Sequence, residues 1–295
     1  MYFQMVMAVL SSVSPGPMVA SPDSGRIGLL VVAHGASQEW NAQVNELVAQ
    51  VDWTRGPMET AFLMGDDAAT HGWKHSVSRL IADGARSIVV VPFMVSSHGG
   101  HYRQVLHYAG KSDRLPEGLS GHAHEVPFHP VPVEVTGSLD DAPELAEAIA
   151  LRWLEQGAAS GPLVLLGHGP SEDDDAEAWL TSFSKVASHL RNQGHQGEIR
   201  LALLRDDASP SVRAAAIRAM RDTVSSLASN SGDSVAVMTI LVAGGTMTHT
   251  QIPNDLDGLP VRYIPSVLTP LPPIARWIER VALAAANTLG VFPRE

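Results

Sequence analysis

An internal repeat constrains this chain more than any other feature of it. Gly28-Leu-Leu-Val-Val-Ala-His34-Gly35 is an unbroken apolar run closed by His-Gly, and Pro162-Leu-Val-Leu-Leu-Gly-His168-Gly169 repeats it in the second half. Short runs without polar alternation suit strands buried on both faces, as in parallel sheets covered by helices. The segments that follow keep step. A helical pattern with Trp40, Val44, Leu47, Val48 and Val51 corresponds to one with Ala178, Trp179, Phe183, Val186 and Leu190. The second of these opens on the acidic group 172–175, where a helix dipole favours negative charge. Residues 59–64 and 198–204 read as second strands, each followed by an acidic pair, Asp66-Asp67 and Asp206-Asp207. Helices are predicted at 73–82 and 211–227, and third strands at 87–93 and 234–241, ahead of the glycine pairs Gly99-Gly100 and Gly244-Gly245. Short fourth strands at 131–135 and 261–264 lead into helices at 142–155 and 271–286.

Strand–helix alternation with right-handed crossovers gives a parallel sheet in each half. The expected fold is α/β: two similar Rossmann-like domains, residues 27–157 and 161–290, each a four-stranded parallel sheet flanked by helices. Residues 1–26 precede them. Tyr2-Phe3-Gln4 before Met5 reads as the remnant of a cleavable tag, and Pro15, Gly16, Pro17 and Pro22 make the rest a flexible lead-in. That segment has no basic n-region, so a cytoplasmic protein is expected, with an export leader cut short as the alternative.

Composition narrows the chemistry. The chain has no cysteine, which excludes thiol catalysis, disulfides, Cys-ligated zinc and iron–sulfur clusters. A net charge of −11 without a basic run argues against nucleic-acid binding. No apolar stretch is long enough for a membrane span. Of 13 histidines, nine precede residue 150, so a metal held by imidazole is sought in the first half. Ligands of open parallel sheets bind beyond the carboxyl ends of the strands. His34 lies there, and so does His101 after Gly99-Gly100, which makes them the expected metal ligands. His98 points either into that site or away. Gly35 permits a sharp turn, and Gly99 and Gly100 permit a large planar ligand to approach the backbone. His168 and His249 are the second-half candidates, although the turn there reads Gly244-Gly245-Thr246-Met247-Thr248-His249, with its histidine displaced. His71 and His75 fit an ordinary solvated helix face. His122, His124 and His129 fit either an accessory site or lid, or an exposed loop. His107, with Arg103 and Tyr108, is expected to line the cleft.

In this order and spacing, Leu29-Leu-Val-Val-Ala-His-Gly-Ala-Ser37, Ala61-Phe-Leu63, Asp83-Gly-Ala-Arg-Ser-Ile-Val-Val-Val-Pro-Phe93 and Gly99-Gly-His101 resemble the sirohydrochlorin cobalt/iron chelatases. These are the CbiX-like proteins of the class II chelatase superfamily. The resemblance covers 27–155, and extends more loosely over 161–286 through Gly167-His-Gly169, Gly244-Gly245 and Ile252-Pro253. It implies a metallochelatase that inserts Co²⁺, Fe²⁺ or Ni²⁺, as substrate, into sirohydrochlorin or a related tetrapyrrole without a nucleotide. His34 and His101 then bind the metal in an interdomain cleft, with histidines also taking the pyrrole protons. Arg103, Lys111 and Arg114 are the cations expected to meet the macrocycle's carboxylates. One position departs from the family pattern: an acidic residue commonly follows the Phe-Leu of the second strand, and here Met64 does, with Arg205 its second-half counterpart. The alternative is a non-catalytic metal- or tetrapyrrole-binding protein of the same fold. Whether the chain forms a homo-oligomer stays open. A histidine phosphatase also places His-Gly after its first strand, but it needs an arginine beside that histidine, and Ala33 and Ala36 stand there instead.

Overall fold

The computed structural model describes residues 26–116, 119, 127–157 and 161–289; the N-terminal segment up to Gly25, with its tag and leader readings, and His122 and His124 lie outside the described residues. The first half runs β1 (Ile27–Ala33), α1 (Gln38–Val48), β2 (Met58–Phe62), α2 (Ala68–His71), α3 (Trp73–Ala82), β3 (Ser87–Pro92), α4 (Gly100–Tyr108), β4 (Val133–Val135) and α5 (Pro143–Glu155). The second runs β5 (Leu163–Gly167), α6 (Asp173–Asn192), β6 (Ile199–Leu203), α7 (Pro210–Ser231), β7 (Val235–Thr239), α8 (Ile252–Asp255), β8 (Val261–Ile264) and α9 (Pro272–Leu289). Each half holds a four-stranded sheet, in the orders β2-β1-β3-β4 and β6-β5-β7-β8, with every pairing parallel. The expected α/β architecture is the one observed. Among the described residues no helix is long and apolar enough to cross a membrane.

The buried runs divide by the two-residue period of a strand. Leu29, Val31 and Ala33 face a core common to both halves, whereas Leu30 and Val32 face an outer layer with Trp73, Val77 and Leu80 of α3. In β5, Leu163 and Leu165 join the common core, while Val164 and Leu166 meet Met220 and Val224 of α7. A strand sandwiched in this way has no polar face, which is why β1 and β5 read as unbroken apolar runs.

The helices that end each half pack across to the other. Helix α9 lies against α1, β3 and β4 of the first half. Its Trp277 meets Phe93 with ring centroids 6.4 Å apart, and its Glu279 carboxylate accepts from the Asp52 backbone N–H at 2.8 Å. Helix α5 packs on α6. From it, Arg152 donates to the Val267 and Thr269 carbonyls at 3.2 and 3.1 Å, and Trp153 lies under the Arg262 guanidinium. The two crossing helices also pair with each other through Glu144–Arg280 and Glu147–Arg276. One apolar core therefore holds both sheets and fixes how their strand ends face.

Removing the Trp277 side chain leaves a cavity in that shared core, and Trp277→Ala is expected to cost about 3–5 kcal/mol. Urea unfolding followed by far-UV circular dichroism and by tryptophan fluorescence should give one coincident transition, shifted down in the variant. Two separate transitions in the parent protein would show that the halves unfold independently.

Candidate functional site

The carboxyl ends of the two sheets share a cavity of about 330 Å³, walled by residues of both halves. This is within the size range of small-molecule sites. The first half brings His34, Trp40, Phe93, His98 and His101, and the second brings His168, Trp179, Asp207 and Met247.

His34 leaves the end of β1 at a corner that only glycine can turn. Gly35 has φ 85°, and a Cβ on it would lie 2.1 Å from the Met64 carbonyl oxygen. The corner is built again at Gly169, where φ is 77° and a Cβ would sit 2.9 Å from that of Leu203. Both histidines thus reach the cavity by the same turn. His101 arrives on the first turn of α4, and its Nδ1 lies 3.1 Å from Gln104 Oε1, while Gln104 Nε2 donates to the Tyr108 hydroxyl at 3.0 Å. An amide oxygen only accepts, so in this pairing His101 Nδ1 is the donor.

The His34 and His101 rings meet edge to face with centroids 4.4 Å apart. Burial, and after it the nearby His101 and His168, draw the His34 pKa from its usual 6.5 down to about 4; Asp207 and the Gly35 backbone oppose the shift. His34 is consequently a neutral imidazole at any physiological pH.

Contacts between the halves hold this rim together. Trp179 Nε1 donates to the His98 carbonyl at 2.6 Å, so α6 leans on the first-half turn. In return, the Gln43 amide of α1 exchanges two 3.0 Å hydrogen bonds with the backbone of Gly244. The turn carrying His98 is anchored by Asp140, whose carboxylate accepts from Ser96 Oγ, Ser97 N and Ser97 Oγ at 3.0, 2.7 and 2.6 Å.

The structure sorts the expected residues. His34, His98, His101, His168, Gly99 and Gly100 all lie on the cavity wall. His249 does not: it is exposed in a π-helical turn, Met247–Gln251, beside Gly244. The glycine pair of the second half docks α1 instead of presenting a histidine. Arg103 is also off the wall, because its guanidinium forms a two-pronged pair with Asp175 of α6 at 3.1 and 2.7 Å. Lys111 pairs with Glu134, and Arg114 is exposed. His107 Nδ1 lies 3.0 Å from the Ser112 carbonyl oxygen, and His129 packs over Gly110. His71 and His75 fall on separate helices divided by Gly72. Asp66 and Asp67 are held by α1, accepting from Gln38 N at 3.2 Å and Asn41 Nδ2 at 2.9 Å. Among the described residues no group of three or more histidines and carboxylates is gathered to hold one metal ion. The histidines at the end of the first sheet form a pair.

Three wall or support residues were not expected from the sequence: Gln104, Trp179 as a cavity wall, and Asp207. Gln104 had a usable signal, since it stands one helical turn beyond His101.

Paired imidazoles thus stand at the rim of a duplicated parallel α/β fold. Residues 28–156, most of the first half, match the model of the CbiX family. The fold is similar to that of SirB from Bacillus subtilis with Fe³⁺, at a TM-score of 0.62 and 17% identity over 92% of this chain and 100% of that one. It is also similar to the sirohydrochlorin chelatase SirB from Bacillus subtilis subspecies spizizenii in complex with cobalt, at 0.60 and 16% over 90% and 98%. A third structure, CbiX, described as the terminal enzyme for biosynthesis of siroheme in denitrifying bacteria, matches at 0.50 and 15% over 88% and 99%. No curated protein matches the chain in sequence.

The lowered His34 pKa makes the fold sensitive to acid. Between pH 6.5 and about 4 the unfolded chain binds a proton at this position that the folded chain does not, so stability falls as pH drops through that window. Urea midpoints measured across it should decline less steeply for His34→Gln than for the parent. Parallel slopes would show that His34 titrates normally.

Proposed function

We propose that this protein is a metallochelatase that inserts a divalent metal, Co²⁺, Fe²⁺ or Ni²⁺, into sirohydrochlorin or a related tetrapyrrole in the cleft between its halves. The observation that carries this is the His34–His101 pair at the sheet ends, set in an aromatic-walled cavity of a chain whose first half matches the CbiX family. A ring separation of 4.4 Å suits two neighbouring ligands of one ion with metal–nitrogen bonds of about 2.0–2.1 Å. The relatives of known structure were solved with iron and with cobalt, ions that imidazole binds well.

The chemistry follows from the parts. Two imidazoles hold a cation less firmly than a complete four-ligand cage does, and an ion meant for transfer has to leave. A neutral His34 presents its lone pair without competition from protons. Insertion exchanges one M²⁺ for two pyrrole N–H protons, which a histidine of the site accepts and passes to solvent. Trp40, Phe93 and Trp179 give a flat macrocycle apolar faces to rest on and keep water from the exchange. Arg103 is committed to Asp175, so the macrocycle's carboxylates are left to groups outside the wall or to water.

His34→Ala and His101→Ala should each slow cobalt insertion into sirohydrochlorin by about a hundredfold or more, followed as the shift of the tetrapyrrole absorption bands, with the circular dichroism spectrum unchanged. Parent rates in either variant would remove this pair from the reaction. A parent protein that shifts the bands no faster than buffer would be a binding protein of the same fold; Met64, in place of the acid common in the family, is the feature that favours that outcome.

A further inference from the structure

The two repeats hold the turn after their third strand in one backbone frame but with different side chains. In the first half, Leu139 N and Asp140 N donate to the Met94 and Val95 carbonyls at 3.2 and 3.0 Å; in the second, Leu268 N and Thr269 N donate to the Leu241 and Val242 carbonyls at 2.9 and 3.1 Å. Asp140 and Thr269 are therefore counterparts, as are Ser96-Ser97 and Ala243-Gly244. The Thr269 hydroxyl folds back onto the Val242 carbonyl at 3.0 Å. The Asp140 carboxylate reaches the turn instead, taking Ser96 Oγ and Ser97 N on one oxygen and Ser97 Oγ on the other. Ser97 Oγ accepts in turn from Ser138 N at 2.8 Å, and Ser96 Oγ from His98 N at 3.1 Å. This cluster belongs to the half whose turn brings His98 and His101 to the cleft. Ala243 and Gly244 carry no hydroxyl to repeat it, and the histidine that follows them, His249, is exposed.

Asp140 makes these bonds from a left-handed backbone, with φ 44°. A side chain in that region is strained and persists where its surroundings hold it, and Asp tolerates it better than most. The same loop meets α4 a second time, where the Tyr102 hydroxyl donates to the Thr136 carbonyl at 3.1 Å. The chain is thus gripped on both sides of His101, at Ser96–His98 before it and at Tyr102 after it. His34 leaves β1 on its own glycine corner, so the 4.4 Å between the two rings depends on how the β3–α4 turn is seated. Groups behind a ligand ring fix its orientation, and a site left unsupported loosens.

We propose that Asp140 is the positioning residue of the His34–His101 pair: through Ser96 and Ser97 it seats the turn from which His101 reaches the cleft, and so sets the spacing of the two imidazoles. For its effect on a metal the inference rests on that pair being metal ligands; for the geometry it does not. Asp140→Gly tests it, because glycine adopts the left-handed backbone without strain and only the carboxylate is lost. In histidine-labelled protein, the nuclear Overhauser effect between the His34 and His101 rings should be present in the parent and fall severalfold in Asp140→Gly. The Kd for Co²⁺ alone, titrated on the whole protein, should rise by about tenfold to a hundredfold, with a changed visible absorption of the bound ion. Asp140→Asn keeps one acceptor oxygen and should lie between; it decides the question if the glycine variant does not fold. Thr269→Val, at the counterpart position, should keep the parent's ring contact and affinity. Circular dichroism and the Tm report folding, and a residue serving stability alone would move the Tm and leave the ring contact unchanged. The proposal is overturned if the parent shows no ring contact, if the folded Asp140 variants keep it in full, or if Thr269→Val weakens it as much. The ring contact is read without metal, so it decides the matter even in a protein that binds no Co²⁺. A parent that has the contact and inserts no metal into sirohydrochlorin would end the chelatase reading and leave the role of Asp140 standing; insertion by a parent whose ring contact ignores Asp140 would do the reverse.

Discussion

The packing of α9 on the first-half sheet, with α5 crossing the other way onto α6, is the constraint on which the cleft depends. Two sheets joined only through the linker around Gly157–Gly161 would present their strand ends at no fixed angle. With Trp277 seated beside Phe93, and Arg152 bound to the carbonyls of Val267 and Thr269, neither half can turn without opening a shared apolar core. Smaller contacts then set the rim: Gln43 on Gly244, Trp179 on His98, and Arg103 on Asp175. Side chains contributed by rigid elements from opposite sides can hold a fixed geometry around a ligand in a way that loop residues cannot.

Within that frame the two repeats have kept one feature and divided others. Both keep the His-Gly corner, because its left-handed glycine sits against the backbone of the neighbouring strand end and no side chain fits there. The glycine pair has diverged. In the first half it opens α4 and places His101 beside His34; in the second it receives α1, and His249 turns out to solvent. Duplication supplied two copies of a rim. The fold uses one copy for paired imidazoles, and the other for a wall and a docking surface.

Most of the architecture was legible because strands buried on both faces have only one composition available to them, and the two apolar runs could hardly fold otherwise. His34 and His168 were legible for a related reason: the end of such a strand is where a polar side chain first becomes tolerable; His101 was legible through the glycine pair that precedes it at the start of α4. The exchange of α5 and α9 was not legible. An amphipathic stripe records that a helix must be covered but not by which sheet, and both sheets offer the same kind of apolar face. Arg103 misled because its charge suits a carboxylate ligand, while its partner, Asp175, lies across the domain junction. Asp207 was hidden by Arg205, whose positive φ of 58° leaves no mark in the sequence. With it, Asp206 N meets the His168 carbonyl where Met64 N meets that of His34, so everything after Arg205 is shifted by a position.

That shift bears on how a cleft of this kind handles charge. Burial and neighbouring imidazoles disfavour the protonation of His34, and its low pKa expresses this: its cationic form would be poorly solvated and repelled by His101 and His168. The same pocket disfavours a bare dication just as much. Asp207 is a carboxylate on the same wall. It is one of the groups opposing the fall in the His34 pKa, yet the fall prevails, and it stands beyond hydrogen-bond reach of His168. A carboxylate paired directly with His34 would instead favour its imidazolium form. With Met64 just beyond the end of the second strand and the nearby carboxylate supplied by the other half, the His34 imidazole stays neutral.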